Sequence, residues 1–343
     1  MQELIESGQF LTLSRRHPEL FERAHQFTLA NGTVVSITAP GIISFSVQPT
    51  STPNKRIVLS CGVHGNETAP IEICDDLVKR ILTGEVTLAH DVLFLFGNLP
   101  AMDIAERFVE ENMNRLFSGA PSTGEGLVNA ERVRAKQLEE AVATFFEAAE
   151  GTRYHYDLHT AIRASKNEKF AVYPYLHDRI HSKGQLAFLA ACGVKTILLS
   201  ESSTTTFSYF SSYQYNAHAF TVELGKVRPF GQNDMSRFAD AKNALTQLIT
   251  EQDFLPSVNM DDLDVYRVNQ VINRKEEEFT LHFDDDTPNF TDYPKGTVLA
   301  SEPNKEYIAE QDGEAIVFPN AKVAIGQRAL LTVVPTTLDK LDV

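Results

Sequence analysis

The sequence predicts an α/β protein: a mixed parallel and antiparallel sheet flanked by helices, followed by a small all-β region. Three observations lead to this class. Arg56-Ile57-Val58-Leu59-Ser60-Cys61 and Asp91-Val92-Leu93-Phe94-Leu95-Phe96 are near-continuous apolar runs, as in strands covered on both faces, and the amphipathic stretch Thr68 to Leu82 lies between them. Further strand-like runs at Tyr154–Thr160, Phe170–Pro174, Val194–Leu199 and Ala219–Gly225 alternate with helical or irregular segments. After Pro256 the text changes to short apolar runs separated by turn residues, which is the pattern of a small barrel or sandwich. At 343 residues the chain is long for one domain, and the change of character divides it into 1–255 and 256–343.

Composition narrows the classes of function. Thirty-one basic against forty-six acidic residues give a formal charge of −15, which disfavours nucleic acid and anionic membrane as partners. A small acidic substrate would then need a local basic pocket. No stretch approaches the length of a membrane span, and Met1-Gln2-Glu3-Leu4-Ile5-Glu6-Ser7 lacks the basic start of a signal peptide. Cys61, Cys74 and Cys192 are too few and too scattered for a disulfide framework or a thiolate zinc knot, so all three are expected to be buried and reduced in a cytoplasmic protein.

In chain order, Phe27-Thr28-Leu29 and Val34–Thr38 flank Ala30-Asn31-Gly32-Thr33, a hairpin signal, and Gly41–Val47 reads as another strand, placing an antiparallel edge before the core strands. The segment 98–117 is unusually polar for text beside core strands. From Gly126 to Glu150 the spacing of Val133, Leu138, Val142, Phe145 and Phe146 suits a long scaffold helix. Ser200 to Asn216 shows neither helical nor strand period and is expected to be a long loop covering a site. Asn233 to Gln252 reads as a last helix.

The chemistry begins at Cys61-Gly62-Val63-His64-Gly65-Asn66-Glu67, on the connection between a core strand and a helix, where α/β proteins carry their sites. An imidazole and a carboxylate three residues apart on a turn can converge on one divalent cation, and zinc takes both ligand types at about 2.0–2.2 Å. In Tyr154-His155-Tyr156-Asp157-Leu158-His159-Thr160 the strand period puts His155, Asp157 and His159 on one face; His159, at the strand end, is the best candidate for the third ligand, and Asp157 a candidate partner that orients it or a neighbouring group. Two histidines and a glutamate leave a coordination position for water. In Ala219–Gly225 the carboxylate of Glu223 interrupts an apolar run, a costly placement that is explained if Glu223 takes the proton from that water and passes it to a leaving amine. A His-x-x-Glu pair alone is common; the three features fall together at the ends of core strands, which points to metal-dependent hydrolysis.

Gly62-Val63-His64-Gly65-Asn66-Glu67, Asn114-Arg115, Asp157-Leu158-His159-Thr160 and Val222-Glu223-Leu224-Gly225 resemble, in order, the motifs of the aspartoacylase and succinylglutamate desuccinylase family, a branch of the zinc carboxypeptidase-like hydrolases. The resemblance covers about 50 to 230, and Asp157–Arg163 and Thr206–Ser212 look closer to the desuccinylase branch. It implies a zinc carboxypeptidase-like fold, one zinc ion held by His64, Glu67 and His159, and Glu223 as general base and acid. It also implies that Arg107 polarises the scissile carbonyl, that Asn114 and Arg115 hold the amino-acid carboxylate, and that the C-terminal region narrows the entrance. The reaction so implied is hydrolysis of N-succinyl-L-glutamate to succinate and L-glutamate, the last step of arginine breakdown by the succinyltransferase route. One departure is Tyr213, where aspartoacylase carries an arginine ten residues before the catalytic glutamate; Arg163 is the substitute expected for that contact, with Lys226 and Arg228 as weaker choices. The alternatives are a deacylase of another N-acyl acidic amino acid, a zinc carboxypeptidase, and a binding module without turnover. Retention of Glu223 beside a complete ligand set speaks against the last.

Overall fold

The computed structural model describes residues 2–48 and 54–338; Met1, 49–53 and 339–343 lie outside the description. The chain opens with helices α1 (Gln2–Ser7) and α2 (Phe10–Arg16), for which the sequence reading gives no element, and then forms the strands β1 (His25–Thr28), β2 (Val34–Ala39), β3 (Ile42–Ser46) and β4 (Arg56–Cys61). Next come α3 (Thr68–Leu82), β5 (Asp91–Phe96), α4 (Leu99–Asp103), α5 (Ala130–Glu147), β6 (Arg153–Ala161), β7 (Phe170–Tyr173), α6 (Lys183–Ala191), β8 (Thr196–Leu199), α7 (Phe207–Tyr215), β9 (His218–Lys226) and α8 (Ala239–Thr250). The remainder is β10 (Asp264–Asn273), β11 (Thr280–Leu281), β12 (Thr291–Tyr293), β13 (Val298–Glu302), β14 (Lys305–Ile308), β15 (Glu314–Val317) and β16 (Arg328–Pro335).

Thirteen strands form one sheet in the order β1-β2-β3-β5-β4-β6-β9-β7-β8-β10-β16-β15-β12. The centre, β5-β4-β6-β9, is parallel, and the expected antiparallel hairpin β1–β2 sits at one edge. Every residue of β4 and β5 is buried, as their unbroken apolar text requires. Their side chains alternate between two cores: Ile57 and Leu59 face the one filled by α1, α2, α3, α6 and α8, while Val58 faces the one filled by α5 and α7. The C-terminal strands are continuous with this sheet through parallel pairing of β10 with β8, and β11-β13-β14 form a second, antiparallel sheet over their own apolar cluster.

Two expectations need correction. Residues 200–216 are a loop only as far as Thr206, whose hydroxyl accepts the Tyr209 N–H and caps α7. The buried stripe of α7 carries Ser208, Ser211 and Ser212 beside its aromatics, so a polar contact face conceals the helical period. In α5, Val133 is exposed, and Ala135 joins Leu138, Val142, Phe145 and Phe146 on the buried side. The three cysteines are buried and unpaired, as expected.

His90, next to β5, is fully buried and accepts the Lys55 N–H at Nδ1, 3.3 Å, while its Nε2 lies 3.2 Å from the Glu251 carbonyl. Burial, and then Lys55, lower its pKa to about 4. The unfolded chain therefore binds a proton near pH 6.5 that the folded chain refuses, and this contribution to stability is lost as pH falls from 6.5 towards 4. Urea denaturation is expected to show His90→Gln losing about 2 kcal/mol less than the parent between pH 7 and pH 5. Equal losses would place the acid sensitivity elsewhere.

Candidate active site

The loop after β4 depends on two glycines. Gly62 has φ +64°, in the left-handed region, and a Cβ on Gly65 would collide with the backbone of Ala101 and Met102 in α4. This close approach turns His64 and Glu67 towards the end of β6, and Gly65 N–H donates to the Arg107 carbonyl at 3.1 Å, tying the loop to its neighbour.

There His64, Glu67 and His159 converge, all buried, with one ligand atom from each within 4.8 Å of the others. His64 Nδ1 lies 2.8 Å from Glu67 Oε1 and His159 Nδ1 lies 2.8 Å from Glu67 Oε2. Each imidazole is fixed from behind: His64 Nε2 by Asn112 Oδ1 at 2.9 Å, and His159 Nε2 by Asp157 Oδ2 at 2.9 Å. The three clustered residues and Asp157 behind His159 are ones that the sequence singles out; Asn112 is not, although it stands two residues before the Asn114-Arg115 pair.

Charge explains why this cluster suits a cation. Burial lowers the pKa of His64 to about 4, helped by Arg107, so with Nε2 against Asn112 Oδ1 the neutral ring turns the lone pair of Nδ1 towards Glu67 Oε1. His159 is disfavoured as a cation by burial, yet Asp157 and Glu67 hold its pKa well above the ordinary value. Burial opposes ionisation of Glu67, but His64, His159 and Arg107 keep it a carboxylate. Two imidazole Nδ1 atoms converging on one carboxylate, each 2.8 Å from one of its oxygens, form a donor set that fits zinc, which would replace any proton held between them.

Behind the ligands runs a buried polar chain. Asp157 Oδ1 accepts the Ser60 hydroxyl at 2.5 Å, Ser60 Oγ lies 2.8 Å from His155 Nε2, and His155 Nδ1 lies 2.7 Å from Ser211 Oγ on α7. Asp157→Asn, which keeps this shape and removes the charge behind His159, is expected to weaken zinc affinity about 10–100-fold in competition with a chelating dye. An unchanged affinity would reduce Asp157 to a packing role.

Glu223 stands opposite His159 in the β6–β9 ladder. Its side chain is buried, Oε2 has no hydrogen-bond partner, and burial together with Glu67 raises its pKa to about 7. A carboxyl held near neutrality can both accept and return a proton.

The polar segment 98–117 is held by α5. Glu131 accepts Asn98 Nδ2 at 2.6 Å and the backbone N–H groups of Val109, Glu110 and Glu111 at 2.7, 2.8 and 2.5 Å. The helix read as plain scaffold thus pins the loop that carries Arg107. Arg107 Nη1 donates to Glu67 Oε1 at 2.6 Å. Asn114 Oδ1 accepts the Phe207 N–H at 3.1 Å, leaving its Nδ2 as a donor, and Arg115 Nη1 donates to the Asn114 carbonyl at 2.8 Å.

Arg107, Asn114 and Arg115 line, with His64, Glu67, His159 and Glu223, a cavity of about 1190 Å3. The C-terminal region closes part of it through residues such as Asp285, Asp286, Asn320 and Arg328. Arg163 and Lys226 line it as well; Arg228 is not among the described lining residues. Arg163 lies at the rim, where Nη1 donates to the Thr287 and Asp284 carbonyls at 2.9 and 3.4 Å and Asp285 and Asp286 stand close by. Two adjacent carboxylates make this a poor position from which to attract a third. Arg328, which sequence reading missed, brings a further cation to the cavity from β16; an arginine opening an apolar strand gives no signal in the text.

Residues 53–249 match the succinylglutamate desuccinylase/aspartoacylase catalytic domain family, and 261–336 match the AstE/AspA barrel-sandwich hybrid domain. The chain is 61% identical to a succinylglutamate desuccinylase of Pseudoalteromonas atlantica, over 99% of this chain and 97% of that one. It is 51% identical to one of Shewanella denitrificans, over 97% of each. The crystal structure of the Chromobacterium violaceum succinylglutamate desuccinylase superposes with a TM-score of 0.85 at 39% identity, over 98% of this chain and 100% of that one. The chain therefore belongs to the succinylglutamate desuccinylase/aspartoacylase family.

Proposed function

We propose that the protein is a zinc-dependent amidohydrolase that cleaves N-succinyl-L-glutamate to succinate and L-glutamate. The observation that carries this reading is an ionisable, unpartnered carboxylate, Glu223, beside the His64–Glu67–His159 cluster in a cavity that also receives Arg107 and Arg115. The names of the relatives supply the substrate.

His64, Glu67 and His159 would hold zinc, which when bound would supply a Lewis acid able to acidify water and polarise a carbonyl. Glu223 accepts the proton of the attacking water and delivers it to the departing amine nitrogen, so the C–N bond breaks with a neutral leaving group. Arg107, anchored on Glu67, directs its remaining N–H groups at the oxygen that gains charge as water adds. The Asn114 amide and the Arg115 guanidinium hold the carboxylate of the amino-acid half, with Arg115 supplying the planar fork that matches a carboxylate. The buried, unpaired cysteines suit a reducing cytoplasm, and no helix among the described residues is long and apolar enough to cross a membrane.

The test is amine release by zinc-loaded protein from N-succinyl-glutamate, N-acetyl-aspartate and a dipeptide. Turnover of the succinyl compound well above the other two is expected. Preference for N-acetyl-aspartate would make the protein a deacylase of another acidic amino acid, and preference for the dipeptide would make it a carboxypeptidase.

A further inference from the structure

Arg107 is tied to Glu67 and Arg163 to backbone carbonyls, but Arg115 and Arg328 have no ion-pair partner among the described residues. Both line the cavity. Arg115 comes from the loop between α4 and α5, and Arg328 from the first position of β16. Burial and Arg107 lower the Arg115 pKa to about 10. Burial, then Arg115, then Arg107 depress that of Arg328, whose side chain lines the same cavity as theirs. The Arg328 guanidinium carbon lies 5.3 Å from the centre of the Phe318 ring, and its Nε is buried without a hydrogen-bond partner. Phe318 itself has φ +54°, a costly backbone for an aromatic residue, and its N–H is held by the buried Asn289 Oδ1 at 2.9 Å. The shelf under Arg328 is therefore built rather than incidental.

We propose that Arg115 and Arg328 form one two-guanidinium site that holds a single carboxylate of the substrate, so that the C-terminal region supplies half of a specificity contact. This rests on the hydrolysis of an N-acyl acidic amino acid proposed above. Two half-buried guanidinium groups without an ion-pair partner among the described residues line one cavity, and a carboxylate can accept N–H donors from both forks at once. Such a contact would favour dicarboxylic substrates over neutral ones of the same size.

Arg115 holds the amino-acid half in the reading above, so the shared carboxylate is one of L-glutamate, and the two products serve as probes that need no turnover. Binding of L-glutamate and of succinate to zinc-loaded protein is measured by calorimetry for the parent, Arg328→Gln, Arg115→Gln and the double variant. Melting temperatures and Arg328→Lys, which keeps the charge and loses the fork, control for folding. Both single substitutions are expected to weaken binding of L-glutamate at least about 10-fold more than that of succinate, and the double variant to lose less than the product of the two. Arg328→Lys is expected to fall between parent and Arg328→Gln. Any other pattern overturns the proposal: no loss, loss on different acids, or equal loss on both. A parent that binds one acid through both arginines but does not hydrolyse N-succinyl-glutamate would sink the proposed reaction and leave the anion site intact.

Discussion

Glu223→Gln is expected to lower kcat by about 10²–10⁴-fold while zinc content and melting temperature stay at parental values. Glutamine keeps the volume in a position that is 7% exposed and keeps an oxygen for local contacts, but it can neither take the water proton nor return one to the amine. Glu223 is not a member of the three-residue ligand cluster, so the loss should appear in turnover rather than in metal occupancy. Zinc per chain and initial rates on the same preparation separate the two. A variant that turned over at near-parental rate would remove Glu223 from the mechanism, and one that lost zinc in proportion to activity would make it a ligand.

Glu67→Gln should be as severe for a different reason. One carboxylate faces His64 Nδ1, His159 Nδ1, Arg107 Nη1 and the Thr160 N–H, the last at 3.1 Å. Removing its charge takes away an anionic ligand and leaves His159 and Arg107 without their shared counter-charge. Since residues standing behind metal ligands are already worth about 10–100-fold in affinity, loss of a ligand is expected to exceed about 100-fold in both zinc affinity and turnover. Excess zinc should raise the melting temperature of the parent, because a ligand that binds only the folded state stabilises it, and leave that of Glu67→Gln unmoved. An equal zinc-induced rise in the variant would place the metal elsewhere.

The site was legible where residue spacing and strand text coincided. His64 and Glu67 lie between a run of six buried strand residues and a helix whose limits, Thr68–Leu82, follow from its apolar period. His159 and Asp157 follow from strand alternation, and Glu223 from the cost of a charge in an apolar strand. What escaped was held by contacts between distant segments. Asn112 matters because its side chain meets His64, and Glu131 because it gathers three backbone N–H groups from another loop. Helix α7 hid behind buried serines, and β12 and β14 are three and four residues long, too short for a period to show. Arg328 gains its meaning only from the cavity it lines with Arg107 and Arg115, more than two hundred residues away in the chain.

The most direct test of the central claim is a zinc titration of metal-free protein during hydrolysis of N-succinyl-L-glutamate, with succinate and glutamate both quantified. The account predicts no turnover without metal, a linear rise to one zinc per chain, and equimolar products. Full activity in the presence of chelator, or a rise that continues to two or more zinc ions per chain, would contradict it.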